Sequence, residues 1–202
     1  MSSDGLSFDK LLQEARLLRQ SGENKKAIEV YRRALEIKPE SIVALNEMGV
    51  THIRIGEQAE AIMVFDTAIS IKPDEASSHI NKVEAFLTLG SFEEALISAD
   101  IGLIVAPTNA VLHEKRARAL ESLLRIPEAV DAFNESIRYD SENPETWKAL
   151  ALCLDAQAKW VEVARAYRIA GSLHQKRGEL RDAESCFKFA EMAEKSSSDE
   201  MA

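Results

Sequence analysis

Three kinds of residue return at a constant step of 34 along this 202-residue chain, and that step limits what it can fold into. Glycine stands at Gly22, Gly56 and Gly90, and alanine at Ala27, Ala61, Ala95 and Ala129. Proline follows at Pro39, Pro73 and Pro107, with Ser141 in its place in the fourth copy. The stretch from Ile42 to Glu75 holds every mark: Leu45-x-x-Met48-Gly49-x-x-His52, Gly56, Ala61-x-x-x-Phe65-x-x-Ala68 and Pro73. Steps of three and four put these residues on one face of a helix. The central glycine divides each copy into two helices of roughly 13 residues, each about 20 Å long. The proline ends the second helix because it forces its predecessor out of the helical region. Such a hairpin cannot bury its apolar face alone, so successive copies must stack.

This pattern resembles the tetratricopeptide repeat, and the likeness extends over most of the chain. It implies an all-α, right-handed α-solenoid of antiparallel helix hairpins. Small residues, such as Ala15 or Gly49 against Ala27 and Ala34 or Ala61 and Ala68, let paired backbones approach. Tyr31, Phe65, Phe133 and Tyr167 share one slot and are expected to fill the gap between neighbouring hairpins.

The expected organisation is a mobile lead over residues 1–7 and five repeats over 8–41, 42–75, 76–109, 110–143 and 144–177. A capping helix over 178–195 and a disordered tail over 196–202 complete it. The third repeat departs from the pattern at Ala99 and Gly102, and the fourth at Leu124 and Ser141. In the fourth, Pro127 falls in a first helical turn, where a missing N–H matters little. The fifth keeps Trp147, Tyr167 and Ala170 but no closing proline, so its second helix should run from Trp160 to Arg177 and stop at Gly178. Ala183, Phe187 and Ala190 then repeat the second-helix signature early. The helix before them is expected to serve twice, ending the fifth hairpin and opening a sixth. Eleven helices and no strand follow.

A net charge of −9 and a pI near 5.1 argue against nucleic acid or an anionic membrane as the main partner. No apolar run reaches the length of a membrane span. The start of the chain lacks the basic and apolar regions of a signal peptide. Cys153 and Cys186 have no CxxC spacing and read as buried free thiols, which suits the cytoplasm. His79, His113 and Trp147 occupy one packing slot a period apart, and no histidine pair has metal spacing on one helix. No phosphate loop or nucleophile elbow is visible. No catalysis, metal or cofactor is expected.

In the tetratricopeptide family the first helices of successive hairpins line a concave groove. The likeness therefore implies a peptide-binding inner face on Leu12, Arg16 and Arg19, then Val43, Asn46, Val50 and Arg54, then Ile80 and Glu84. It continues on Val111, Glu114 and Arg118, and on Lys148 and Leu152. Asp9, Ile53, Ser77, Leu87, Glu121, Glu145 and Asp155 complete these rows. The first rows set Arg16, Arg19 and Arg54 against Asp9, whereas the later rows are mostly acidic. A ligand with acidic residues toward the first repeats and basic residues toward the fifth is expected, anchored on Val43, Val50, Ile80 and Val111. The basic constellation with which some family members grip an acidic chaperone tail is absent in every frame. The function implied is a non-catalytic protein-interaction scaffold or adaptor with a protein or peptide partner. The alternative is self-assembly through terminal helices, where Phe189 and Met192 could form a homodimer contact.

Overall fold

A computed structural model describes residues 7–200 of the chain. Residues 1–6 of the expected lead over 1–7 and the last two residues of the expected tail lie outside the described residues, and Ser7 caps the first helix. Among those described there are eleven α-helices and no strand. The chain divides into two compact units, Met1–Pro107 and Thr108–Ala202, described separately below.

The first unit holds three hairpins: α1 (Phe8–Gln20) with α2 (Asn24–Ile37), α3 (Ile42–Arg54) with α4 (Gln58–Ile71), and α5 (Ala76–Leu89) with α6 (Phe92–Val105). Ser7 and Ser41 open α1 and α3, each hydroxyl accepting an orphan backbone N–H. Gly22, Gly56 and Gly90 turn the chain at φ of 81–84°, a conformation that side chains with a Cβ adopt at a cost. Tyr31 and Phe65 are fully buried. The Phe65 ring lies so close to Gly49 that a Cβ there would stand 2.4 Å from it. Its other neighbour is Ala85 of α5, so Phe65 joins its own hairpin to the next.

The second unit holds α7 (Ala110–Ser122), α8 (Ile126–Tyr139), α9 (Pro144–Asp155), α10 (Trp160–Lys176) and α11 (Leu180–Glu200). Asn109 and Asn143 cap α7 and α9, and Pro127 and Pro144 sit in first turns as the chemistry of helix starts allows. Where the turn glycine is missing, Leu124 takes the same left-handed geometry at φ 59°, and so does Ala158 at φ 53°. The turn is therefore kept at the expense of local strain.

α10 does serve twice. Gly49-x-x-His52-x-x-x-Gly56-Glu57 recurs as Gly171-x-x-His174-x-x-x-Gly178-Glu179. Phe187 covers Gly171 as Phe65 covers Gly49, with a Cβ there 2.8 Å from the ring. In both hairpins the buried histidine bonds the glutamate after the glycine, His52 Nδ1 to Glu57 Oε2 at 2.7 Å and His174 Nδ1 to Glu179 Oε2 at 2.6 Å. The α10–α11 pair is thus a hairpin in the register of α3–α4. α11 also runs to Glu200, five residues past the expected end at Lys195, so residues 196–200 are helical rather than tail. The hydroxyls of Ser196 and Ser198 bond the carbonyls of Met192 and Glu194, and no proline or glycine breaks that last stretch.

Candidate binding faces

In the first unit the first helices of successive hairpins lie side by side. The Arg16 guanidinium of α1 reaches across to Glu47 of α3 at 2.7–3.0 Å, and the Tyr31 hydroxyl donates to the same carboxylate at 3.1 Å. Burial beside this carboxylate pushes the Tyr31 phenol up to about 12. One row further on, Asn46 Nδ2 donates to Ser77 Oγ at 3.1 Å, which ties α3 to α5. Asn46 Oδ1 is buried and has no hydrogen-bond donor among the described residues.

These bonds fix where the expected groove residues stand. Val43 is exposed at 51%, and Ile80 and Glu84 are half-buried on the α5 row. Arg54 is exposed and Arg19 partly so. Val50 and Ile53 pack down against Ala61 and Phe65, so they floor the face rather than project from it. Leu12 does not reach it: the side chain is buried in the cluster of Ile28, Tyr31 and Met48. Its slot holds an apolar residue that α2 covers, which a register carried from the family cannot distinguish from an inner position.

Charge differs from expectation as well. Glu47 stands outside the expected rows, and it neutralises Arg16. Over those first two rows Arg16, Arg19 and Arg54 then stand against Asp9 and Glu47, which halves the expected basic excess. Sequence spacing gives no sign of this, because Arg16 and Glu47 lie 31 residues apart and meet only when the hairpins stack.

In the second unit Val111 and Leu152 are exposed on α7 and α9. Arg118 pairs with Glu114, and Lys148 with Glu145 at 3.0 Å. Glu121 is half-buried, and burial holds its carboxyl above the ordinary range despite the pull of Arg118. Phe189 and Met192 are half-exposed on α11, but the Phe189 ring rests on Tyr167 with centroids 5.3 Å apart. Leu180 lies on the same side of α11 as Ala183 and Phe187 and is 66% exposed at the start of the helix.

The slot shared by His79, His113 and Trp147 does packing and anchoring work. His79 Nε2 bonds the Pro73 carbonyl at 2.8 Å, and Trp147 Nε1 donates to the Ser141 carbonyl at 2.9 Å. Each clasps the stop residue of the preceding repeat, and His113 stacks on Tyr139. Cys153 and Cys186 are buried free thiols, and burial pushes Cys153 up to about 11, which keeps it protonated. One cluster escaped the spacing argument. His174, Glu179 and Asp182 bring ligand atoms within 4.8 Å of one another. The His174–Glu179 bond also exists as His52–Glu57, where it closes a hairpin, and it reads the same way here.

No helix among the described residues is long and apolar enough to cross a membrane. Residues 15–56 match a family model described as TPR repeat, and 42–75 one described as tetratricopeptide repeat. No curated protein sequence matches the chain. Among solved structures it resembles TTC0263, a thermophilic TPR protein of Thermus thermophilus, with TM-score 0.71 and 21% identity over 89% of this chain and 98% of that one. MamA 41-end from Desulfovibrio magneticus RS-1 is similar at TM-score 0.66 and 16% identity, over 89% and 97%. PilF of Pseudomonas aeruginosa gives 0.68 and 20%, over 89% and 88%. Residues 15–75 match tetratricopeptide repeat models, and the fold across both units resembles that of solved tetratricopeptide repeat proteins.

Proposed function

We propose that the chain is a non-catalytic scaffold that binds a peptide or helix of a protein partner along the first helices of the first unit. The observation that carries this reading is Val43, an apolar side chain left half in water on α3. An exposed apolar side chain on the open side of a first helix is what a peptide side chain needs as an anchor. Val50 and Ile53 form the floor, and Ile80 extends the apolar strip onto α5. With Arg16 neutralised by Glu47, apolar contact supplies the affinity, and charge adjusts orientation and on-rate. Val111 and Leu152 offer a second, more acidic face in the other unit. The two buried free thiols support a reducing compartment, the cytoplasm.

The test is selection of peptides from a random display library against the intact protein, followed by affinity measurement on variants. Val43→Asp leaves the helices intact, because the side chain lies half in water, and Asn46→Ala, which also removes the bond to Ser77, is checked for unchanged helicity. Val43→Asp should weaken selected peptides by at least about tenfold, the loss typical of a binding hot spot. Peptides that bind both variants as tightly as the parent would place the site elsewhere.

A further inference from the structure

The register shared by the α3–α4 and α10–α11 hairpins identifies an occupant for the open end of the second unit. In the interior of the first unit, the α3–α4 hairpin receives α5 through three contacts. Lys82 Nζ meets Asp66 Oδ1 at 2.6 Å, Asn46 meets Ser77 at 3.1 Å, and Ala85 packs on Ala61 and Phe65. In the second unit α10–α11 presents the same seat, unfilled by any of the described residues, as an open cleft of about 580 Å³ lined by Leu180, Ala183, Glu184, Phe187, Lys188 and Glu191. Transferring positions by the shared register places Lys188 where Asp66 stands and Arg168 where Asn46 stands.

The helix that would fill an equivalent seat is α1. By the 34-residue step, Glu14 of α1 corresponds to Lys82, Asp9 to Ser77 and Leu17 to Ala85. Both members of the interior ion pair are thus reversed in sign, Asp66 to Lys188 and Lys82 to Glu14, so the pair stays complementary. The interior amide–hydroxyl bond becomes Arg168 opposite Asp9. Leu17 occupies a position that is fully buried as Thr51 and Ala85 in α3 and α5, yet in α1 it is 57% exposed.

We infer that α1 of a second copy of this chain docks on the α10–α11 hairpin, continuing the hairpin stacking from one molecule into the next. Glu14 of the incoming copy pairs with Lys188, and its Asp9 joins Glu194 on Arg168, which Glu194 holds at 2.7–2.9 Å in the single chain. Leu17 covers Leu180, Ala183 and Phe187. The contact joins two different surfaces, so each copy carries both halves, and growth does not stop at two unless a ring closes. It also leaves Phe189 and Met192 unused, since they lie on other sides of α11.

Sedimentation velocity on the full chain over a range of concentrations tests this. At low salt the average mass should rise beyond that of a dimer or settle at a closed ring, and salt should lower it. Glu14→Lys and Lys188→Glu should each weaken association by at least about tenfold through like-charge contact. An equimolar mixture of the two variants should recover it, because the lysine introduced in one then faces the glutamate introduced in the other. Leu17→Asp should abolish association without touching the charges of that pair. Circular dichroism should show unchanged helicity, since all three side chains lie at least partly in water. A chain that stays monomeric throughout, or a mixture no better than the single variants, overturns the contact. So does a complex that saturates at two copies and ignores all three substitutions.

Discussion

At the residue scale, Leu124 shows how a repeat tolerates a missing mark. Its turn needs a left-handed residue, and leucine supplies it at φ 59° while its side chain is 82% exposed. Nothing packs on that side chain to repay the strain. Leu124→Gly should therefore stabilise the chain by about 1 kcal/mol in urea unfolding, the cost of a Cβ in that region. Glu121 makes an opposite kind of contribution. Burial raises its folded pKa, so the unfolded chain gives up the proton first and stability falls as pH rises through the carboxylate range. Glu121→Gln should raise the melting temperature at neutral pH, and the gain should shrink as both states of the parent become protonated in acid. A gain that is the same at every pH would show that burial of its charge is not the cause.

At the element scale, the stability of a hairpin rests on a ring seated on a glycine. Gly49 under Phe65 and Gly171 under Phe187 let two helices approach where a methyl group would collide. Gly171→Ala should cost about 1–3 kcal/mol by overpacking, and Gly49→Ala a similar amount. Phe65→Ala should cost about 3–5 kcal/mol, because it empties the space between α3 and α5. The two His–Glu bonds join the end of one helix to the turn that starts the next, holding the geometry that the glycine opens. α11 buries Ala183, Cys186, Ala190 and Ala193 in the second unit. A chain ending at Gly178 should expose the facing side of α10 and aggregate; if it stays dispersed with an unchanged melting temperature, α11 is not a cap.

At the scale of the whole molecule, two compact units and nearest-neighbour packing mean that damage should remain local. Hydrogen exchange should detect this. Phe65→Ala should accelerate exchange in α1 to α6 far more than in α7 to α11, and Phe133→Ala, whose ring is fully buried in the second unit, should do the reverse. Uniform acceleration by either substitution would show one cooperative body instead. The same modularity lets an open end of one copy be read against the interior of another stretch of the chain.

Helix number, hairpin pairing and most boundaries were determined by the sequence itself. They depend on covalent spacing, which places Gly56 between Ala61 and Gly49 whatever else the chain does. The double duty of α10 was also legible, in the early return of Ala183, Phe187 and Ala190. The fuller signature of Gly171, His174, Gly178 and Glu179 is present in the same stretch, and its meaning lies in contacts that exist only in the folded hairpin, the His174–Glu179 bond and the Phe187 ring on Gly171. Tertiary structure alone decided which side chains meet across hairpins. Leu12 went into the core and Leu180 into water, although each sits at an apolar position of its own helix. Arg16 lost its free charge to Glu47, and His174 gained Glu179 and Asp182 as neighbours. Burial and ion pairing depend on what a neighbouring helix presents at a given height, and that quantity is set by stacking distance and rotation rather than by the 34-residue step.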